Sequence, residues 1–170
     1  MQNAIKNAVS QHDVLDGFNH AKLPIDRDSI RSRRLLHMLE LVEVLRTPDN
    51  QRTMWHTLLD AGANPDFIWI RDCNDGAQQR IRPAIQIRIN TCKHRGFVVL
   101  AYDAGDRGFK LLLQDGGTSI ARVTVEVNVR KLATVLEDLV DDGTRRLSQD
   151  FAYNAVSSNA AIQGDYLLCP

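Results

Sequence analysis

Hydrophobic positions in this chain follow two different periods, with a change near residue 66 and a change back near residue 131. Between those points the period is two, the signature of half-buried strands. Ile81, Ile85, Ile87 and Ile89 are interleaved with Arg82, Gln86, Arg88 and Asn90. Val123, Val125, Val127 and Val129 are interleaved with Arg122, Thr124, Glu126 and Asn128. Two further strands are expected over Phe97–Tyr102 and Phe109–Gln114, and a short one over Phe67–Arg71, before the polar stretch Asn74–Gln79. Pro83 suits an edge or the beginning of a strand. The loops 103–108 (DAGDRG) and 115–117 (DGG) are short and polar, so consecutive strands should pair as an antiparallel meander.

The flanks read as helical. Residues 3–16 carry Ile5, Ala8, Val9 and Leu15 as an imperfect stripe that Gly17 ends. A second helix is expected from a cap at Asp26 or Asp28 to about Arg46, with apolar residues around more than half of its surface. Thr47-Pro48 has the chemistry of an N-cap and first helical residue, so a third helix is expected from there to Gly62. Leu132, Val135, Leu136, Leu139 and Val140 recur at i, i+3, i+4, i+7 and i+8, the strongest helical signal in the chain. A weaker helix is expected from Ser148 through Val156, and Tyr166–Cys169 is a short apolar tail. LLDAGANPD (58–66) resembles the end of one ankyrin repeat, but no second copy occurs, so no repeat array follows.

These elements predict a single α+β domain over 1–170. A four- or five-stranded antiparallel meander, about 67–129, carries three N-terminal helices and one or two C-terminal helices. The parts are a helical region 1–65, a sheet 66–130, helices over 131–158 and a tail 159–170.

Composition narrows the class. Apolar residues are 44% and charged residues 25%, ordinary globular usage, which excludes disorder or coiled coil as a description of the whole. Lys+Arg and Asp+Glu are both 21, so a globally basic nucleic-acid coat or polybasic membrane protein is not expected. The longest nearly apolar run, Gly96–Tyr102, is too short to span a membrane. The first twenty residues have no apolar run typical of a signal peptide. Cys73, Cys92 and Cys169 are odd in number and form no CxxC, which points to a reducing, cytoplasmic location rather than a disulfide framework.

Candidate chemistry is sparse. FVVLAY has no polar residue on either face until Tyr102, so one flank of that strand must leave an apolar stripe on the outer sheet face. Leu112 extends that stripe, and Gln86, Arg88, Lys110, Arg122, Thr124 and Asn128 rim it. An apolar centre with a polar rim describes an interaction surface. The plainer reading is that the N-terminal helices cover this face as core. A non-enzymatic protein-binding or regulatory module is therefore expected, with Tyr102, Leu112, Arg88 and Arg122 as contact residues and another protein or a second copy as partner. The acidic residues Glu137, Asp138, Asp141 and Asp142 are a solvated face or a dock for a basic partner, including a second copy.

The alternative is a nucleic-acid-binding regulator using Arg80, Arg82, Arg88, Lys93 and Arg95, since residues 80–95 contain no acid. Against it, the interleaved apolar residues are aliphatic and offer no pair of stacking rings. Arg27, Arg31 and Arg34 would share one face of the second helix, neutralised by Asp26 and Asp28. A third reading is a small cysteine-dependent enzyme in which the basic neighbours of Cys92 lower its pKa and His94 serves as base. His12, Asp16 and His20 are spaced four apart, but Gly17 interrupts them and no fourth ligand adjoins, so no metal or other cofactor is expected.

Overall fold

The computed structural model describes residues 22–73, 82–103, 108–117 and 120–146. The expected helices over 3–16 and 148–156, the tail 166–169, Arg80 and the His12, Asp16, His20 set lie outside the described residues.

Local capping chemistry decides where the helices begin. Helix α1 spans Arg33–Val44 and starts at Ser32, whose hydroxyl accepts from Leu35 N at 3.1 Å. Asp26 does not cap it. Its carboxylate accepts from Asp28 N at 3.1 Å and closes a turn instead. Arg27 lies in that turn and pairs with Glu43, so the expected arginine face of Arg27, Arg31 and Arg34 does not form. The backbone N–H groups of Arg31 and Ser32 donate to the Asp72 carboxylate at 2.8 and 2.9 Å, which fixes the helix start beside the end of the first strand.

The third expected helix is also displaced. Helix α2 is Met54–Asp60, capped by Thr53, which accepts from His56 N at 3.3 Å. Thr47-Pro48 forms a tight turn, because proline's fixed φ suits the first corner of a turn as well as a helix start. Thr47 N donates to Arg52 O at 2.9 Å and Asn50 N to Thr47 O at 2.8 Å, and Asn50 takes a φ of 58°. Helix α3, Leu132–Val140, follows a 3-10 turn over Val129–Lys131 that Asn128 caps. Val129 therefore belongs to the helix start rather than to the last strand.

The sheet matches its expected topology. Strands β1 (Ile68–Arg71), β2 (Ala84–Asn90), β3 (Arg95–Asp103), β4 (Gly108–Asp115) and β5 (Ala121–Val127) lie side by side in chain order. Every neighbouring pair is antiparallel. Three helices and five strands make this an α+β fold among the described residues.

Opposed residues in a ladder share a face. The register Ile87–Val98–Leu113–Val123, with Ile85–Leu100–Leu111–Val125, thus defines one apolar face. On it Ile85, Ile87, Ile89, Val98, Leu100, Leu111 and Leu113 are buried, in one core with Leu35, Met38, Leu39 and Val42 of α1, Trp55 and Leu58 of α2, and Leu132, Leu136 and Val140 of α3. All three helices therefore contribute to one layer on this inner face.

A polar seam stitches that layer together. The Arg52 guanidinium meets Asp60 at 3.1 Å and Glu137 and Asp141 each at 2.6 Å, joining α2 to α3. Burial alone would raise the Asp141 pKa. Hydrogen bonds from Arg52, Gly143 N and Arg145 outweigh it and hold the carboxyl at about 2. The same carboxylates raise the Arg52 pKa against its own burial. The acidic run of α3 is thus partly structural, with Glu137 and Asp141 committed to Arg52 rather than presented to a partner.

Candidate partner interface

The outer face of the sheet is built by the residues that alternate with the core set. Trp69, Gln86, Val99, Leu112 and Thr124 form one row across all five strands. Arg88, Phe97 and Gln114 form the next row, and Arg71, Ala84, Ala101, Lys110 and Glu126 the row on the other side. The middle of the face is consequently apolar, from Phe97 through Val99 to Leu112. The described helices pack on the opposite face.

The two ends of this face differ in charge. Towards the β3–β4 loop Arg82 and Lys110 are both matched by carboxylates. Arg82 pairs with Asp103, and Lys110 Nζ lies 3.0 Å from Asp103 and 3.1 Å from Glu126. Hydrogen bonding to those two carboxylates raises the Lys110 pKa. At the opposite end, Arg88 and Arg95 are exposed and make no ion pair with a described residue. They line a groove of about 400 Å³ with Asn64, Phe67, Asn90 and Gly116.

Beside that groove stands an aromatic cluster. Phe67 and Trp69 are 51% and 47% exposed, which is high for residues that normally drive burial. The Trp69 ring lies edge-on to Phe97 at 5.5 Å and tilted to Phe67 at 6.3 Å. Sequence reasoning misses these rings, because the basic segment 80–95 itself holds no Phe, Tyr or Trp. They come from the neighbouring strands and the loop before β1. The signal was present in IWIR, where Trp69 alternates with two isoleucines and so must face away from them.

Other expected site residues are distributed differently. Tyr102 has the parity of Val98 and Leu100 and opposes Phe109, so it lies on the inner face, away from Leu112 and Arg88. Its ring packs edge-on against Phe109 at 6.0 Å, under the Arg34 guanidinium at 4.9 Å. Arg122 is on the outer side of β5 at a bulge, because Leu113 opposes Val123 while Gln114 opposes Ala121. Its nearest acid is Asp115, at 3.9 Å and exposed. Lys93 points to the end of α3, where its Nζ donates to Asp138 O at 3.0 Å.

The turn carrying Cys92 and His94 is held from within. Thr91 Oγ1 accepts from His94 N at 3.0 Å, Cys92 N donates to Asp142 at 2.8 Å, and Arg146 donates to Asn90 O at 2.8 Å. Burial opposes ionisation of Asp142, but the bonds from Cys92 N and Thr144 lower its pKa all the same. The His94 ring is only 3% exposed, and its Nε2 lies 3.1 Å from Gln114 O. Gly96 lets the two strands close over that ring. A Cβ there would sit 2.1 Å from Gln114 O and 2.9 Å from His94 Nε2. Cys92 is disulfide-bonded.

No group of three or more His, Cys, Asp or Glu among the described residues is arranged to hold a metal ion. No described helix is long and apolar enough to cross a membrane. No protein-family description, curated protein or solved structure matches this chain.

Proposed function

We propose that this protein is a non-enzymatic binding module that captures a partner protein on the outer face of its sheet. Phe97, Val99 and Leu112 form the floor, Phe67 and Trp69 the anchors, and Arg88 and Arg95 the cationic wall. One observation carries the reading: an exposed aromatic cluster stands beside a groove and two arginines that make no ion pair with a described residue. Tryptophan and arginine dominate interface hot spots because each offers large contact area with directed polar contacts. The matching partner segment is extended, apolar on one side and acidic on the other. Its acids would meet Arg88 and Arg95, and its apolar residues the floor.

Selection of a random peptide library against the full chain should enrich such segments. The paired substitutions Arg88→Glu and Arg95→Glu should weaken the selected peptides by at least about tenfold, a loss of about 1.4 kcal/mol. Thermal unfolding should barely change, because neither arginine makes an ion pair with a described residue. Equal binding of the selected peptides by the folded double variant would place the capture surface elsewhere.

The aromatic cluster also favours the second reading, single-stranded nucleic acid stacked on the rings. Its electrostatic support is limited, because Arg82 is neutralised and Lys93 is turned away. The two remaining cations among the described residues, Arg88 and Arg95, would alone give a salt slope of about −1.4 on a log–log plot for a single strand. Retention of an oligonucleotide with that slope, and of no peptide, would decide for nucleic acid.

A further inference from the structure

Strand β5 is the last strand of the sheet, and among the described residues only β4 pairs with it. An edge strand of seven residues leaves a row of backbone donors and acceptors open to another strand. Many edges are protected by an inward-pointing charge or a proline, but β5 has neither: its charges, Arg122 and Glu126, both point outward.

The order of side chains along this edge is self-complementary. Arg122, Val123, Thr124, Val125 and Glu126 read as cation, valine, threonine, valine, anion. Set antiparallel to itself about Thr124, the strand opposes Arg122 to Glu126 twice, Val123 to Val125 twice, and Thr124 to Thr124. Each is a favourable cross-strand pair. A two-fold axis through Val123 would instead oppose Arg122 to Thr124, and one through Val125 would oppose Thr124 to Glu126. Only the Thr124 axis matches the charges.

We propose that two copies of this chain pair through β5 about a two-fold axis at Thr124, forming one continuous ten-stranded antiparallel sheet. The axis runs perpendicular to the sheet, so both helical layers lie on one side and both outer faces on the other. Ile120 is 74% exposed and Val129 39%, and they flank the two ends of β5, so apolar surface lies at this edge of the sheet. Both charged residues are available for exchange. The present partner of Arg122 is an exposed acid at 3.9 Å, and Glu126 is exposed beside Lys110. The bulge at Arg122 shortens the regular ladder to the central residues and leaves the ion pairs to side-chain reach. Pairing of single strands buries less area than a standard interface, so the dimer should dissociate on dilution. The inference is independent of what the outer face captures.

Sedimentation velocity of the full chain under reducing conditions tests it. The mass should rise from 19.1 kDa towards twice that value as concentration increases. Arg122→Glu and Glu126→Arg should each weaken association by at least about tenfold, since two attractive pairs become two repulsive ones. Combining the two restores the palindrome with its signs exchanged, and should restore association to within about threefold of the original. A monomer at every concentration would overturn the proposal, as would folded single variants that still associate or a folded double variant that does not. Thr124→Cys gives a second test that leaves the charges in place. In a Cys73→Ser background it should cross-link to itself under mild oxidation, because the axis places the two Thr124 Cα atoms about 4.5–5.5 Å apart. Failure of that variant to cross-link under conditions where the chain dimerises would exclude this register.

Discussion

Leu111 and Leu112 are adjacent in sequence, in the same strand, and have opposite fates. Leu111 is 1% exposed beneath the helices, whereas Leu112 lies on the outer face between Val99 and Thr124. Strand β3 shows the same division, with Val98 and Leu100 in the core and Phe97 and Val99 outside. Both faces of the sheet are therefore apolar at the middle of these strands. The difference lies in what packs against them. Three helices bring Leu35, Trp55, Leu136 and their neighbours to the inner face, and no described helix reaches the outer one. Apolar surface without a helical cover among the described residues is the ground for the capture proposed above.

The comparison can be broken by substitutions ranked by their effect on stability. Leu111→Ala leaves a cavity in close-packed surroundings and should lower unfolding free energy by about 3 kcal/mol in a denaturant titration. A loss below about 1 kcal/mol would mean that the inner face is not the principal core. Gly96→Ala comes next. Its methyl group meets a backbone carbonyl, so the strands must separate, for about 2 kcal/mol of destabilisation. Amide exchange should accelerate at the β3–β4 pairing if that contact is responsible.

The seam within the helical layer gives a smaller, pH-dependent effect. The Asp141 carboxyl is depressed from 3.8 to about 2 in the folded chain, so the folded state binds its proton less readily than the unfolded state. Its stabilisation is complete above about pH 3.8 and fades as pH falls through about 2. The contribution is about 1–2 kcal/mol, allowing for partial solvent screening. Asp141→Asn should flatten the stability profile between those values. An unchanged acid slope would show that Arg52 holds its partners without favouring the charged form of Asp141. Leu112→Thr should have the smallest effect, under about 1 kcal/mol, because threonine suits a strand and little packing is lost. The same substitution should nonetheless reduce capture of a peptide bound across the outer face.

Much of this architecture was legible because strand periodicity is local. The alternation from Ile85 to Val127 marks which residues share a face, and short polar loops leave few topologies besides a meander. The α3 stripe was equally plain. Capping was harder to read. Asp26, Ser32, Thr47 and Thr53 are all competent caps, and sequence does not rank them. Asp72, distant in the chain, selects Ser32 by accepting from its backbone, while the Arg46–Thr53 bridge turns Thr47 and Pro48 into a loop. The candidate site was legible in part. Alternation alone puts Arg88 and Leu112 on the outer face, as the register has them, whereas Tyr102 has the parity of the core residues, and Phe67 and Trp69 lie outside the basic segment.

By itself, then, the chain determined its strands, their order and the alternation that splits each one between two sides, since those depend on neighbours two residues apart. Tertiary structure decided which side received the helices, which arginines were paired with a carboxylate, and where aromatic rings from separate strands met. Those outcomes rest on contacts between residues far apart in sequence, whose energies no local pattern encodes.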